Sequence, residues 1–288
     1  MPFDIKLKNF SMAGTLGDAF LVYCKLYDYH KKTSRKIGLY RYSRHINFDN
    51  PIADFLKNID FIKYLAPCNY TDHGITKDDK LKAPLINTSW HGRGYSGQSS
   101  DPREIKFNPF PDVFVKPKRV NSKFTIGIQY KCGRAGKDGN SRGVSLKWIK
   151  DLRKALPKSQ IALFGIVSED ERIDKFCKEN KIINFVNRTN FKEWLARIKG
   201  LDFFITFEGF PAYFAMSQKI YSLVFFIIPT ILQRIHPQWK KNNTIYCIKH
   251  PLKYRLLRKT PHYSPNTYPV NINLAKKVIQ KIYAKKNR

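Results

Sequence analysis

Four short stretches carry residue types that can do chemistry. In Gly14-Thr15-Leu16-Gly17-Asp18 a carboxylate follows a glycine-bearing turn and heads an apolar helix (Ala19, Phe20, Val22, Tyr23, Leu26, Tyr27). A strand, glycine turn and helix in that order bring backbone N–H groups and one acidic side chain to the mouth of an open α/β sheet. Asp18 is therefore the candidate general base of the N-terminal half. The same carboxylate also has a purely structural reading, because an acid in a first helical turn offsets the positive end of the helix dipole.

The second stretch, Lys131-Cys132-Gly133-Arg134-Ala135-Gly136-Lys137-Asp138-Gly139-Asn140-Ser141-Arg142-Gly143, combines glycines that let backbone amides approach an anion with Lys131, Arg134, Lys137 and Arg142 as positive charge. It lacks the Gly-Lys-Ser/Thr ending of a phosphate-binding P-loop and the GxGxxG of a dinucleotide fold. Both a phosphate-facing loop and a plain solvated loop fit it. In the third, Ser168 and Glu171 form a capping box, while Glu169 sits where a carboxylate can hold a ribose hydroxyl pair. In the fourth, Thr206-Phe207-Glu208-Gly209-Phe210-Pro211 places Pro in the first turn of a helix, whose amides make an anion site. Glu208 there would oppose a phosphate but suits a sugar or ribose hydroxyl.

These stretches need a scaffold, and the periodicities supply one. Phe3, Ile5 and Leu7 alternate with Asp4, Lys6 and Lys8 as a strand before the Asp18 helix; a second strand falls near 36–42, a mixed segment over 52–65 and a loop over 89–100. Pro102, Pro109, Pro111 and Pro117 mark 101–117 as an extended connector. Beyond it, strands at 124–130, 160–165, 181–186, 202–206 and 221–228 alternate with helices at 146–156, 169–179, 190–198 and 211–217. That alternation predicts a parallel sheet covered on both faces. Leu274, Ala275, Val278, Ile279, Ile282 and Tyr283 share a helical face opposite Lys276, Lys277, Lys281, Lys285 and Lys286, so an amphipathic helix ends the chain. The expected organisation is an α/β protein of two Rossmann-like domains, 1–117 and 118–270, facing a cleft, with 271–288 as a helix packed on one of them.

Composition narrows the function classes. Of 288 residues, 42% are hydrophobic and 14% aromatic, enough for packed cores. The formal charge of +31, from 53 Lys and Arg against 22 Asp and Glu, favours anionic partners: nucleic acid, anionic lipid or phosphorylated small molecules. The basic residues are spread along the chain without the compact arginine-rich block of a nucleic-acid arm. Cys24, Cys68, Cys132, Cys177 and Cys247 form no CxxC pair and no disulfide framework, which fits reduced thiols in a cytoplasmic protein. The opening residues lack a signal-peptide core, and the longest apolar run, 221–232, is short for a membrane span and contains Pro229. No Asp-x-Asp occurs, the seven histidines lack zinc spacing and Gly-x-Ser-x-Gly is missing.

Together these stretches resemble the heptosyltransferase-like glycosyltransferases of bacterial surface polysaccharide synthesis. Thr15-Leu16-Gly17-Asp18 is similar to that family's Gly-Asp motif, Ser141 to Trp148 to its phosphate loop, Phe164 to Arg172 to its Gly-to-Glu segment, and Thr206 to Ala215 to its Asp-x-Gly-x-x-His stretch. The chain departs from the last pattern, with Phe207 and Ala212 in place of the Asp and His, and retains Gly209 and Ala215. The resemblance implies a GT-B fold whose N-terminal domain serves the acceptor and whose C-terminal domain binds a nucleotide-diphosphate sugar. It implies an inverting transfer to a saccharide or lipid-linked acceptor, without metal or other cofactor. Asp18 would be the catalytic base, with Thr15, Gly17, Lys131, Arg142 and Gly209 on the donor and its phosphates. Glu169 and Glu208 would take ribose or sugar hydroxyls. The basic surface suits peripheral contact with an anionic inner-membrane face. The rival reading is a non-catalytic basic α/β module, either a pseudoenzyme or a binder of nucleic acid or another polyanion.

Overall fold

Apolar runs with β-branched and aromatic residues fall at intervals that leave room for one helix between strands, and the chain uses them to build two separate parallel sheets. A computed structural model describes residues 8–12, 16–42, 55–68, 86–87, 107–132, 142–165, 171–226, 235–241, 243–247 and 271–286. The chain divides into two compact units, Met1–Phe114 with Ile231–Gln238, and Val115–Thr230 with Trp239–Arg288.

The first unit contains β1 (Lys8–Met12), α1 (Leu16–Thr33), β2 (Ile37–Tyr42), β3 (Ile62–Cys68) and β4 (Ile86–Asn87). Its four strands lie in the order β3-β2-β1-β4, all parallel. The alternation at 3–7 lies outside the described residues, as does the 89–100 loop, and the first described strand is Lys8–Met12. The 52–65 segment resolves into buried Phe55 and Leu56 followed by the start of β3. Residues 19–27 of α1 are buried all round, with Phe20, Leu21, Val22, Cys24 and Leu26 fully so. A helical segment buried on every face belongs inside a core. Tyr23 packs edge-on to Phe55 (5.2 Å) and flat on Phe61 (6.1 Å), and His30 stacks on Phe61 at 4.5 Å. Of the connector, 107–117 lies among the described residues, and 107–124 contains neither helix nor strand. Its first part is tied to α1, where the Tyr23 hydroxyl donates to the Asp112 carbonyl, the Tyr27 hydroxyl to the Asp112 carboxylate, and the Asn108 N–H to the Cys24 carbonyl at 3.1 Å. Burial and the neighbouring Asp112 push both tyrosine pKa values up, and burial also raises the Cys24 thiol.

In the second unit β5 (Thr125–Cys132), β6 (Arg142–Gly143), β7 (Gln160–Gly165), β8 (Ile183–Asn184), β9 (Phe203–Phe207), β10 (Ser222–Phe226) and β11 (Asn243–Cys247) form one sheet in the order β11-β10-β9-β5-β7-β8. Only β6, which folds back on β5, is antiparallel. The helices are α2 (Leu146–Ala155), α3 (Glu171–Glu179), α4 (Phe191–Lys199), α5 (Phe210–Ser217) and α6 (Ile272–Lys286), together with Trp239–Lys241 of a 3-10 turn that spans Pro237–Lys241. Ile126 and Ile128 of β5, Phe203, Ile205 and Phe207 of β9, Ile149 and Leu152 of α2, Ile173 of α3 and Ala275 and Ile279 of α6 share one core. The amphipathic terminal helix thus covers a face of this sheet. Gly127, mid-β5, is required by close packing: a Cβ there would sit 2.3 Å from Leu201 Cδ1 and 2.9 Å from Phe204 Cδ2.

Several sequence expectations change. The strand over 181–186 contracts to Ile183–Asn184, because Lys181 (φ 52°) and Asn187 (φ 56°) turn the backbone left-handed at either side and leave only two edge positions paired to β7. β11 was missed; its five residues pair with β10 in register from Ser222↔Asn243 to Phe226↔Cys247.

Candidate functional site

In an open parallel sheet, ligands bind beyond the carboxyl ends of the strands, where successive connections leave in opposite directions. The first sheet has this point at β1: the chain moves from β1 to β2 and β3 on one side and returns to β4 on the other. The segment that leaves β1 there leads into α1, whose first three residues are Leu16, Gly17 and Asp18. Asp18 therefore occupies the first helical turn at the switch point of the first sheet, and the buried Gly17 precedes it. Thr15 lies outside the described residues.

Seven residues further on, which is two helical turns and the same face, stands a residue that sequence reading missed. Lys25 is 3% exposed, and burial pushes its pKa down to about 8. Its only sequence signal was its place among apolar helix residues.

The second sheet has its switch point between β5 and β9, since the chain runs from β5 outward to β7 and β8 and then returns to β9, β10 and β11. Three candidates gather at that edge. Lys131 and Arg142, eleven positions apart in sequence, fall in adjacent pairs of one backbone ladder because β6 folds back on the end of β5, pairing Lys131 with Gly143 and Cys132 with Arg142. The Val144 N–H donates to the Tyr130 carbonyl at 3.2 Å, and α2 starts at once, capped by Ser145 Oγ accepting from the Trp148 N–H at 3.1 Å. The expectation of a loop over 131–143 thus becomes a ladder at both ends, with 133–141 outside the described residues. Lys131 also stands level with Gly165, the last residue of β7.

The third candidate is the β9–α5 turn. Glu208 continues the ladder, its N–H donating to the Phe225 carbonyl at 3.0 Å, and the residue is 3% exposed. Gly209 follows with φ 131° and ψ −168° and is the N-cap of α5 without a side-chain cap; Pro211 lies in the first turn. That backbone region is open in practice to glycine alone. With no Cβ and no capping side chain at Gly209, no side chain of its own turn occupies the positive end of α5. Phe207 and Ala212, which stand where the Asp-x-Gly-x-x-His pattern has its Asp and His, are both fully buried, Phe207 against Phe225 at 5.8 Å between ring centres. They are core residues of β9 and α5, which explains their type. Glu169 lies outside the described residues, and α3 begins at Glu171. Among the described residues no three His, Cys, Asp or Glu side chains come close enough to share a metal ion, and no helix is long and apolar enough to cross a membrane.

No protein-family model matches the sequence, and no curated protein matches it. Solved structures do. The chain is similar to the glycosyl transferase family 9 protein of Veillonella parvula, at 10% identity and a TM-score of 0.62 over 98% of this chain and 99% of that one. It is similar to the ADP-heptose LPS heptosyltransferase II of E. coli at 11% identity and a TM-score of 0.61, covering 97% and 100% of the two chains. The E. coli heptosyltransferase WaaC, solved with ADP, gives 8% identity and a TM-score of 0.57 over 95% and 99%. Agreement over nearly the full length of both partners shows the fold: GT-B, as the sequence resemblance implied.

Proposed function

We propose that the protein is a glycosyltransferase that moves a sugar from a nucleotide-diphosphate donor to a saccharide or lipid-linked acceptor. The carrying observation is that Asp18 and the Lys131–Arg142–Gly209 group each stand at the switch point of a parallel sheet. Support for the donor class comes from the likeness to heptosyltransferases, one solved with ADP and one named for ADP-heptose.

In this reading Asp18 takes the proton of the acceptor hydroxyl while that oxygen attacks the anomeric carbon. The bond from the anomeric carbon to the diphosphate oxygen breaks with its electron pair on the diphosphate, and the anomeric configuration inverts. A general base contributes about 10²–10⁴-fold, so the departing diphosphate needs its own stabilisation. Lys131, Arg142 and the amides of the Gly209 turn supply it as preorganised positive charge, and the transfer proceeds without a metal ion. The resemblance would assign Thr15 and Gly17 to the donor and its phosphates and Glu169 and Glu208 to ribose or sugar hydroxyls. The net charge of +31 suits work at the anionic cytoplasmic face of a membrane. The buried Phe207 and Ala212 favour one second reading, a pseudoenzyme that binds nucleotide and does not transfer.

The test is a transfer assay over a panel of nucleotide sugars with EDTA present, comparing wild type with Asp18→Asn. Turnover that survives EDTA and falls about 10²–10⁴-fold in Asp18→Asn, with thermal stability unchanged, is the expected result. Undiminished turnover in Asp18→Asn removes Asp18 as the base. Nucleotide binding without transfer of any donor selects the pseudoenzyme.

A further inference from the structure

A second basic feature lies at the other edge of the same sheet. Tyr221 immediately precedes β10 and Asn243 opens β11, so both mark the amino-terminal edge, away from Gly209. There the 3-10 turn and the last turns of α6 enclose a cavity of about 580 Å³, lined by Lys240, Lys241, Lys281, Lys285, Tyr221 and Asn243 among others. Among the described residues no carboxylate lines it. The volume lies within the roughly 300–1,000 Å³ of small-molecule sites.

The ion pairing nearby makes the contrast plain. Lys286, the next residue on α6, is neutralised by Asp202 at 2.7 Å. Lys240, Lys241, Lys281 and Lys285 have no salt bridge among the described residues, and Lys285 instead lies over the Tyr221 ring at 5.3 Å. Asn243 is held in place, its Nδ2 donating to the Trp239 carbonyl at 2.6 Å and its Oδ1 accepting from the Ser222 hydroxyl. The cavity thus has a fixed polar and aromatic floor and a rim of like charges. Four ammonium groups around one concavity repel each other, and an anion carrying several negative oxygens relieves that repulsion. A low-dielectric wall focuses the field inside a concavity more than on a convex surface.

We infer that this cavity is a binding site for a phosphate-bearing group, distinct from the donor site at Gly209. Lysines serve as point charges on phosphate, and the cavity admits a diphosphate or a phosphorylated headgroup.

The experiment has two arms, titration calorimetry with pyrophosphate on protein saturated with ADP, and co-sedimentation with phosphatidylcholine vesicles containing phosphatidic acid. Each uses wild type, the quadruple variant Lys240→Gln, Lys241→Gln, Lys281→Gln and Lys285→Gln, and a charge-matched control with Lys150, Lys154, Lys158 and Lys175 changed to Gln. All eight lysines are exposed, so both variants are expected to fold. The expected result is saturable wild-type binding in at least one arm, weakened tenfold or more in the pocket variant and less than threefold in the control. Binding of pyrophosphate identifies a free phosphorylated ligand, and binding only of vesicles identifies a lipid headgroup. Absence of binding in both arms, or equal losses in the two variants, overturns the inference. The outcome does not depend on which donor the protein uses, because no residue of the Gly209 edge is altered.

Discussion

Gly209→Ala is the sharpest test of the site, because one methyl group should affect stability and ligand binding together. At φ 131° and ψ −168° the residue lies in a region that costs a non-glycine residue about 1–3 kcal/mol. For a domain of this size each kcal/mol lowers Tm by about 2–4 °C, so the variant should melt about 2–12 °C below wild type. Relaxing the strain means turning the peptide that presents the α5 amides. Loss of one charge-assisted hydrogen bond then weakens nucleotide binding by about tenfold or more. Intrinsic fluorescence reads the unfolding, since Trp148, Trp194 and Trp239 all lie in the second unit. Nucleotide-dependent shifts of the same transition read the binding. Gly200→Ala is the control: its Cβ would meet the Lys118 carbonyl oxygen at 2.3 Å, far along α4 from the turn. It should lose stability and keep the nucleotide-induced shift. An unchanged Tm in Gly209→Ala would refute the argument, because the turn would then not need glycine and its uncapped amides would have no basis.

Lys25 should leave a pH signature. Its folded pKa of about 8 lies below the unfolded value of about 10.4, so between them the unfolded chain binds more protons and stability rises with pH. The wild-type stability minus that of Lys25→Met should therefore climb by up to about 3 kcal/mol from pH 8 to 10.5; urea midpoints across that range check it, and a flat difference refutes it. Taking the difference cancels Tyr23, Tyr27 and Cys24, whose raised values act in the opposite sense above their unfolded pKa. Trp239→Ala should cost about 3–5 kcal/mol, since the fully buried ring packs on Tyr213 at 6.1 Å between centres; denaturant unfolding measures it.

Local pattern carried much of the fold. The strand at Gln160–Gly165 and the helices at Leu146–Ala155 and Phe191–Lys199 follow from hydrophobic period and capping residues that lie within a few positions of one another. Asp18 and Gly209 were legible for the same reason, as features of a helix start. β11 and Trp239 were not, because Asn243-Thr244-Ile245-Tyr246-Cys247 lacks the apolar run that marks β9 and β10, and a 3-10 turn carries too little periodicity to stand out.

By itself, then, the sequence determined the alternation of strands and helices, the apolar faces, the high positive charge and the residue types able to do chemistry. Only the tertiary structure decided which of these share an edge. Strand order depends on hydrogen bonds between segments far apart in sequence, such as β5 with β9, and no local period records that choice. The fold-back of β6 that brings Lys131 and Arg142 into one ladder, the burial of Lys25 and the ring of lysines where the 3-10 turn meets α6 are products of the same long-range packing.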